Sequence, residues 1–267
     1  MRTSILNILG FCISAVILAW GALIITGFTT YDVIPSGLEF LNLPSLAIVF
    51  GGISASVFIS FTFWNVMKAV RQCFRLFSYS NIDNELLDED VKHILDWQKR
   101  IQENKIRAIS ELSNEYEGQF EGYLFSVLDT NYSSEELREL GEANIEESYI
   151  RQQKINEIIA SMGKSAPVFG MLGTLFGLIV ILSGFNEIES LLAGLAAALM
   201  TTLYGILIGN FIFNPMAKKM NNIASLQYFR EKLILEGILL IEQQKTSLQI
   251  YDKLQAHMNR SSQKFNF

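Results

Sequence analysis

Four long stretches of this chain contain no aspartate, glutamate, lysine, arginine or histidine. They run from Thr3 to Tyr31, from Phe40 to Met67, from Ser165 to Asn186 and from Ser190 to Ala217. Each reaches the roughly 20 residues that an α-helix needs to cross the hydrocarbon of a bilayer. Because backbone amides cannot stay unpaired in lipid, each stretch is predicted to be helical. The chain is therefore predicted to be an all-α membrane protein with four transmembrane helices.

The composition agrees with this class of protein. Half of the 267 residues are apolar and the mean hydropathy is +0.27, which is unusual for a soluble domain of this size. The first run is too long for a signal-peptide core and has no small-residue cleavage site after it, so a retained first helix is expected. The two histidines are isolated and the net charge is −6. We therefore expect no metal site and no nucleic-acid partner.

Lysine and arginine are distributed unevenly around the four runs. The linker between the first two runs and the linker between the last two contain neither residue. The remaining flanks are basic, with Arg2, Lys68, Arg71, Arg75, Lys154, Lys164, Lys218 and Lys219. By the positive-inside rule, both termini and the long middle loop are predicted to be cytoplasmic.

This orientation predicts the following organisation. Residues 1–31 form the N-terminus and first transmembrane helix, 32–44 a periplasmic linker, and 45–67 the second transmembrane helix. Residues 68–164 form a cytoplasmic helical domain, 165–186 the third transmembrane helix, and 187–189 a periplasmic turn. The fourth transmembrane helix occupies residues 190–217, and a cytoplasmic helical tail occupies residues 218–267.

The cytoplasmic parts contain helix signals. Ser133 stands three residues before Glu136, the spacing of a capping box. Apolar residues then recur at helical spacing toward the third run and again in the tail. They are Leu137, Leu140, Ile155, Ile158, Ile159 and Met162, followed by Leu226, Phe229, Leu233, Ile234, Ile238 and Ile241. These faces are expected to pack inside the domain or against a neighbouring subunit.

Glycines recur within the third and fourth runs. They stand at Gly170, Gly173 and Gly177 in the third run and at Gly205 and Gly209 in the fourth. Small residues allow membrane helices to approach closely, because lipid provides no hydrophobic drive for their association. These glycines are therefore predicted to be helix-packing surface.

Three threonines supply hydroxyl groups in the same runs. Thr174 lies in the third run, and Thr201 and Thr202 lie in the fourth. A threonine in a membrane helix can return its hydroxyl to the carbonyl four residues earlier, which is a purely structural role. Alternatively, these hydroxyls line a path for a hard cation such as Na⁺, which prefers oxygen ligands. Both interpretations remain open at this point.

None of the four runs contains a carboxylate, a histidine or a basic side chain, and this absence limits the function. Ion-coupled proteins usually carry an ionisable group inside the membrane. If this chain conducts ions, that group must come from a partner. The runs also lack a carboxylate pair, a zinc motif or a nucleophile with a base, so the chain is not expected to be an enzyme.

Several segments resemble the MotA/PomA flagellar stator subunits of the MotA/TolQ/ExbB family. In chain order they read L-N-L-P-S-L-A-I-V-F-G-G-I, S-A-P-V-F-G-M-L-G-T-L-F-G-L, L-M-T-T-L-Y-G and N-F-I-F-N-P-M-A-K-K-M. The four-run layout and the long cytoplasmic loop match as well. The related TolQ and ExbB proteins resemble three-span chains, so four spans favour the MotA branch.

The resemblance implies a bacterial inner-membrane stator. A homopentamer of such chains would surround a dimer of a single-span MotB/PomB-like partner that supplies a membrane aspartate. Inward flow of Na⁺ or H⁺ would turn the ring and drive a cytoplasmic, FliG-like rotor protein. Beyond the transported ion, the resemblance implies no cofactor.

Individual residues carry over from the resemblance. Pro167 matches the proline at the third span, where it would bend or start the helix, and Pro215 matches the proline closing the fourth. Thr174 matches the threonine of the third span. Thr202 matches a position that is threonine in sodium-driven members, which favours Na⁺. Asn42 stands where sodium-type members carry an aspartate, which is a departure from that pattern.

The rotor contact in the family uses an arginine and a glutamate after the second span. Arg100, Arg107 and Glu111 are the candidates here, with ordinary helix-surface charges as the alternative. Two other functions compete with the stator. One is a TolQ/ExbB-like force-transducing proton channel for envelope transport or stability, and the other is a non-conducting membrane scaffold.

Overall fold

The computed structural model describes residues 2–25, 42–76, 85–130, 132–183 and 188–265. Its regular elements are α-helices, apart from one π-helical segment at Ile208–Phe213, and no strand occurs among these residues. The prediction of an all-α protein is confirmed.

The chain forms two compact units. The first contains residues 1–79 and 153–221, and the second contains residues 80–152 and 222–267. The first unit holds α1 (Arg2–Ile25), α2 (Leu43–Ser60), α3 (Phe63–Leu76) and α8 (Ile188–Leu207). The second holds α4 (Glu85–Glu103), α5 (Lys105–Glu115), α6 (Phe120–Asp129) and α10 (Ser247–Phe265). Helices α7 (Ser134–Ser183) and α9 (Asn214–Glu242) contribute residues to both units.

Three stretches of the described chain are long and apolar enough to cross a membrane. They are Leu43–Ser60, Ser134–Ile179 and Gly194–Glu242, and a shorter apolar stretch, Leu9–Gly21, lies in α1. Most of the predicted linker at 32–44 lies outside the described residues, as do residues 26–31 of the first predicted span and the start of the turn at 187–189.

The second apolar run is divided between two helices. Asn42 caps α2 by accepting a hydrogen bond from the backbone N–H of Ser45 at 3.1 Å. The helix ends at Ser60 because Phe61 is extended, with φ −130° and ψ 155°. Helix α3 begins two residues later, so the segment predicted as one span at 45–67 contains a break.

Two prolines lie within helices rather than at their ends. Pro167 is in the interior of α7, so it does not start the third helix, and the alternative role of bending that helix stays a prediction. Helix α7 instead runs without interruption from the predicted cytoplasmic domain into the third apolar run. Proline removes the hydrogen bond to the carbonyl four residues earlier, which is that of Gly163. A Cβ on Gly209 would lie 2.9 Å from this Gly163 oxygen, so the freed carbonyl faces a residue without a side chain.

Pro215 does not end the fourth helix either. It is the second residue of α9, which follows α8 through the π-helical segment without interruption. The N–H of Asn214 bonds to the carbonyl of Gly209, five residues earlier. This wider turn gives the proline ring room that an ordinary α-turn does not provide, and π-segments of this kind are frequent at functional sites.

The second unit has its own apolar core. The capping box is confirmed, since the N–H of Ser133 donates to the Glu136 carboxylate at 2.9 Å and the N–H of Glu136 donates to the Ser133 hydroxyl. The tail pattern is confirmed as a buried face of α9. Its members are Leu226, Phe229, Leu233, Ile234, Ile238 and Ile241, which pack with Trp97, Leu112, Leu124, Phe125, Leu137 and Ile145.

Candidate functional site

Helices α7 and α8 pack so closely that their backbone atoms are in van der Waals contact. A Cβ placed on Gly205 would lie 2.6 Å from the carbonyl oxygen of Ala166 and 2.9 Å from the Cα of Gly170. A Cβ on Gly170 would lie 2.9 Å from the carbonyl oxygen of Thr201. Any side chain at these glycines would have to push backbone atoms aside, so the contact depends on their being glycine.

The contact continues in both directions along the two helices. A Cβ on Gly173 would lie 2.6 Å from the side chain of Thr201, and one on Gly177 would lie 2.6 Å from the Cβ of Ala198. All five glycines named from the sequence lie in this contact. Gly163 and Ala166 lie there too and were missed. Their signal was present in the sequence, since small residues recur at 163, 166, 170, 173 and 177.

The three threonines use their hydroxyl groups differently. Thr174 donates to the carbonyl of Met171 at 2.6 Å, and Thr201 donates to that of Ala198 at 2.7 Å. Both bonds return to the preceding turn, as the structural interpretation required, although to the carbonyl three residues earlier. Thr202 instead donates across the pair to the carbonyl of Gly170 at 3.2 Å.

Burial separates the same three threonines. Thr201 is 0% exposed, whereas Thr174 and Thr202 are half-buried. A hydroxyl that donates its proton keeps lone pairs that can accept a hydrogen bond or bind a cation. Thr174 lies four residues after Gly170, a rise of about 6 Å along the helix, and Thr202 bonds to the carbonyl of Gly170. Thr174 and Thr202 are therefore two half-buried residues within about one helical turn of Gly170.

Helix α2 is tied to α8 by polar contacts that the sequence did not reveal. The hydroxyl of Ser45, which is fully buried, donates to the carbonyl of Ala197 at 3.2 Å. The backbone N–H of Asn42 donates to the hydroxyl of Tyr204 at 3.0 Å. Asn42 is thus a helix cap held against α8, and an aspartate could serve as the same cap.

The candidate rotor-contact residues form one charged cluster at α4 and α5. Arg107 donates to Glu111 at 2.8 Å, and Arg100 donates to Glu115 at 2.9 Å while standing 3.9 Å from Glu111. The hydrogen bond from Arg107, and then its charge, lower the pKa of the Glu111 carboxyl. Glu115 was not predicted, because its pairing depends on how α4 and α5 fold against each other.

An open groove of about 760 Å³ in the second unit contains a buried carboxylate. Glu231 is 8% exposed and accepts a hydrogen bond from Gln227 at 3.0 Å. Burial raises the pKa of Glu231, and the charge of Glu121 raises it further. The guanidinium of Arg230, its neighbour in sequence, donates two hydrogen bonds of 2.7 Å to the carboxylate of Asp90.

These features define a class of protein. It is a helical membrane protein in which two apolar helices pack through glycine. The threonine hydroxyl groups at this contact lie in runs without a carboxylate, a histidine or a basic side chain. Residues 83–232, more than half of the chain, match the model of the MotA/TolQ/ExbB proton channel family. The chain belongs to this family.

Curated relatives of this chain include proteins named for motility. The Bacillus subtilis protein YtxD, named as uncharacterised, is 28% identical over 97% of this chain and 92% of its own length. Motility protein A of Treponema phagedenis is 28% identical over 78% of this chain and 79% of its own. Chemotaxis protein PomA of Vibrio alginolyticus is 25% identical over 82% of this chain and 85% of its own.

A solved structure has the same fold. A chain of the C. jejuni MotAB structure superposes with a TM-score of 0.74, at 23% identity, over 90% of this chain and 94% of that chain. The two chains therefore share a fold over nearly their whole length.

Proposed function

We propose that this chain is the ion-conducting stator subunit of a bacterial flagellar motor, coupling inward ion flow to torque on a rotor. The observation that carries this proposal is the α7–α8 pair, with its backbone contact and its half-buried threonines in a family of proton channels. The relatives named Motility protein A and PomA favour the flagellar branch of the family.

The site requires a partner to be complete. The two runs that contain Thr174 and Thr202 have no carboxylate of their own, and ion coupling needs one inside the membrane. A homopentamer of this chain would surround a dimer of a MotB/PomB-like single-span protein that contributes this group. The matched structure is of a MotAB complex, which supports a partner of that kind.

The topology we propose has four spans in the bacterial inner membrane with both termini cytoplasmic. The spans are α1, α2, the end of α7, and α8, with the linkers at 32–44 and 187–189 on the periplasmic side. The basic flanks of these runs support this orientation. The second unit would then be cytoplasmic and would present Arg100, Arg107 and Glu111 to a FliG-like rotor protein.

Within the ion path, Thr174 and Thr202 are the residues we expect to contact the ion. Both residues are half-buried and lie within about one helical turn of Gly170, whereas Thr201 is fully buried against Gly173 and would hold the helix pair together. Pro167 and Pro215 would allow the helices to adjust during the cycle. Oxygen ligands suit Na⁺, and we propose Na⁺ rather than H⁺ as the driving ion.

The test is the speed of single motors in cells that depend on this chain and its partner. Speed is measured over a series of Na⁺ concentrations at constant pH and ionic strength. A speed that rises with Na⁺ and stops without it supports a sodium-driven stator. A motor speed that is independent of Na⁺ concentration but is abolished by a protonophore identifies H⁺ as the driving ion. This result leaves the stator proposal intact.

The competing function is a TolQ/ExbB-like channel for envelope transport or stability, which the family description also covers. Deleting the gene distinguishes the two. Loss of swimming with normal envelope integrity supports the stator, whereas detergent sensitivity with normal swimming would overturn it. Deletion of an unrelated gene, followed by the same two assays, controls for general growth defects.

A further inference from the structure

Helix α3 has three distinct faces. Projected at 3.6 residues per turn, one face is buried in the first unit and holds Val66, Ala69, Cys73 and Leu76. The next face is apolar but exposed: Met67 is 50% exposed and Phe74 is 74% exposed. Between this face and the polar positions Asn65 and Gln72 lies a third face with Trp64, Lys68 and Arg71.

The buried face is held firmly. The ammonium of Lys219, on α9, donates to the carbonyl of Leu76 at 3.0 Å and so caps the end of α3. The sulfur of Cys73 lies 4.0 Å from that of Met220. At the other end, the ring of Phe63 stacks on that of Phe58 with centroids 5.8 Å apart. The exposed faces of α3 therefore have a defined direction relative to the rest of the first unit.

All of the charged side chains of α3 are positive. The helix contains Lys68, Arg71 and Arg75 and no aspartate or glutamate. In the part of the chain that the structure describes, Lys68 and Arg71 form no ion pair. A helix with cations beside exposed tryptophan, methionine and phenylalanine is typical of a segment lying in the interface of a bilayer, where the cations reach the headgroups.

The position of α3 in the chain indicates the same environment. It begins immediately after α2, a helix long and apolar enough to cross a membrane. Ile59, in the last turn of α2, is also 69% exposed, so exposed apolar side chains occur on both sides of the break between α2 and α3. Tryptophan is enriched at the boundary between hydrocarbon and headgroups, and Trp64 is 54% exposed near this end of α2.

From these observations we propose that α3 is a binding surface for anionic phospholipid. Met67 and Phe74 would insert among the upper acyl chains, Trp64 would lie at the headgroup level, and Lys68 and Arg71 would contact lipid phosphates of the cytoplasmic leaflet. Polybasic segments next to a span are attracted to anionic lipid in this way. This surface lies outside the ion path, so its failure would leave the proposed transport function untouched.

The first experiment locates α3 relative to the bilayer. The full chain with Cys12→Ala and Cys73→Ala receives single spin-labelled cysteines at positions 67, 74 and 72, in vesicles of phosphatidylcholine and phosphatidylglycerol. Labels at 67 and 74 are expected to be accessible to oxygen and shielded from a water-soluble nickel chelate, with the reverse at 72. Access of the chelate to 67 and 74, or exclusion of both reagents by a neighbouring protein, would overturn the proposal.

The second experiment tests the preference for anionic lipid. Spin-labelled phosphatidylglycerol and phosphatidylcholine are compared for binding to the full chain. Lys68→Gln with Arg71→Gln is expected to reduce the preference for phosphatidylglycerol by roughly twofold to fivefold per cation. The matched control is Lys92→Gln with Lys99→Gln, which removes the same charge from the second unit. Equal effects of the two pairs, or no preference in the unmodified chain, would contradict a specific lipid surface on α3.

Discussion

The hydroxyl of Thr202 on α8 donates a hydrogen bond of 3.2 Å to the carbonyl oxygen of Gly170 on α7. This bond joins the two helices at the level where their backbones touch. It also directs the lone pairs of the Thr202 oxygen away from Gly170, so that they are available to another ligand. One threonine thus contributes both to packing and to the proposed ion path.

Removing the Thr202 hydroxyl should affect transport more than assembly. Thr202→Val keeps the shape of the side chain and loses one interhelical hydrogen bond, which costs about 0.6 kcal/mol on average in a membrane protein. We expect the complex to assemble and motor speed to fall to near zero, with Thr202→Ser retaining most of the speed. Normal speed in Thr202→Val and Thr174→Val cells would exclude these hydroxyls from the ion path.

The Gly177–Ala198 contact permits a reciprocal exchange. Gly177→Ala would place a methyl group 2.6 Å from the Ala198 Cβ, and overpacking of this kind costs roughly 1–3 kcal/mol. We expect less assembled complex on size-exclusion chromatography for Gly177→Ala alone. Adding Ala198→Gly removes the opposing methyl and should restore assembly. If the double variant were as defective as Gly177→Ala, the contact between the two positions would not be the cause.

A charge reversal at Arg107 tests whether the Arg107–Glu111 pair binds the rotor or only decorates the helix surface. Both side chains are exposed, and exposed ion pairs contribute little to stability. Arg107→Glu should therefore leave the thermal unfolding of the purified chain almost unchanged while reducing swimming. Because this variant reverses a charge that a rotor would meet, an opposite reversal on the rotor should restore motion. Unchanged swimming in Arg107→Glu cells would favour the ordinary helix-surface interpretation, and Lys92→Glu serves as the control for charge reversal elsewhere.

Glu231 should make the second unit sensitive to pH. Burial raises its pKa from the ordinary value of 4.5, so the folded state favours the protonated carboxyl. Burying the ionised carboxylate lowers the free energy of unfolding. This destabilisation is absent below pH 4.5 and grows as pH rises through the raised pKa. Glu231→Gln imitates the protonated form and can still bond to Gln227. At pH 8 it should therefore raise the unfolding temperature of the full chain, by roughly 2–4 °C for each kcal/mol gained.

The same substitution should have almost no effect near pH 4, where the carboxyl is protonated. Scanning fluorimetry across this pH range measures the difference between the variant and the unmodified chain. Glu146→Gln, at an exposed position of α7, removes one charge without changing burial and should show no such trend. A stabilisation by Glu231→Gln that was equal at pH 4 and pH 8 would contradict a cost of buried charge.

Local patterns in the sequence were sufficient for much of this description. Runs without charge predicted the apolar helices, since length and hydropathy are local properties. Ser133 and Glu136 predicted a helix start because both partners of a capping box lie within one turn. The spacing of Gly173 with Gly177, and of Gly205 with Gly209, indicated close helix contacts, since residues four apart share a helix face.

Tertiary structure decided the features that depend on distant partners. Which carbonyl Thr202 reaches, and the pairing of Arg100 with Glu115, follow from helices that meet only after the chain has folded. Pro167 illustrates the same limit: proline predicts an interrupted helix locally, yet α7 continues because packing along the helix outweighs one lost hydrogen bond. The sequence thus determined the membrane class and the helical faces, whereas packing between helices determined which threonines are half-buried and which one is fully buried.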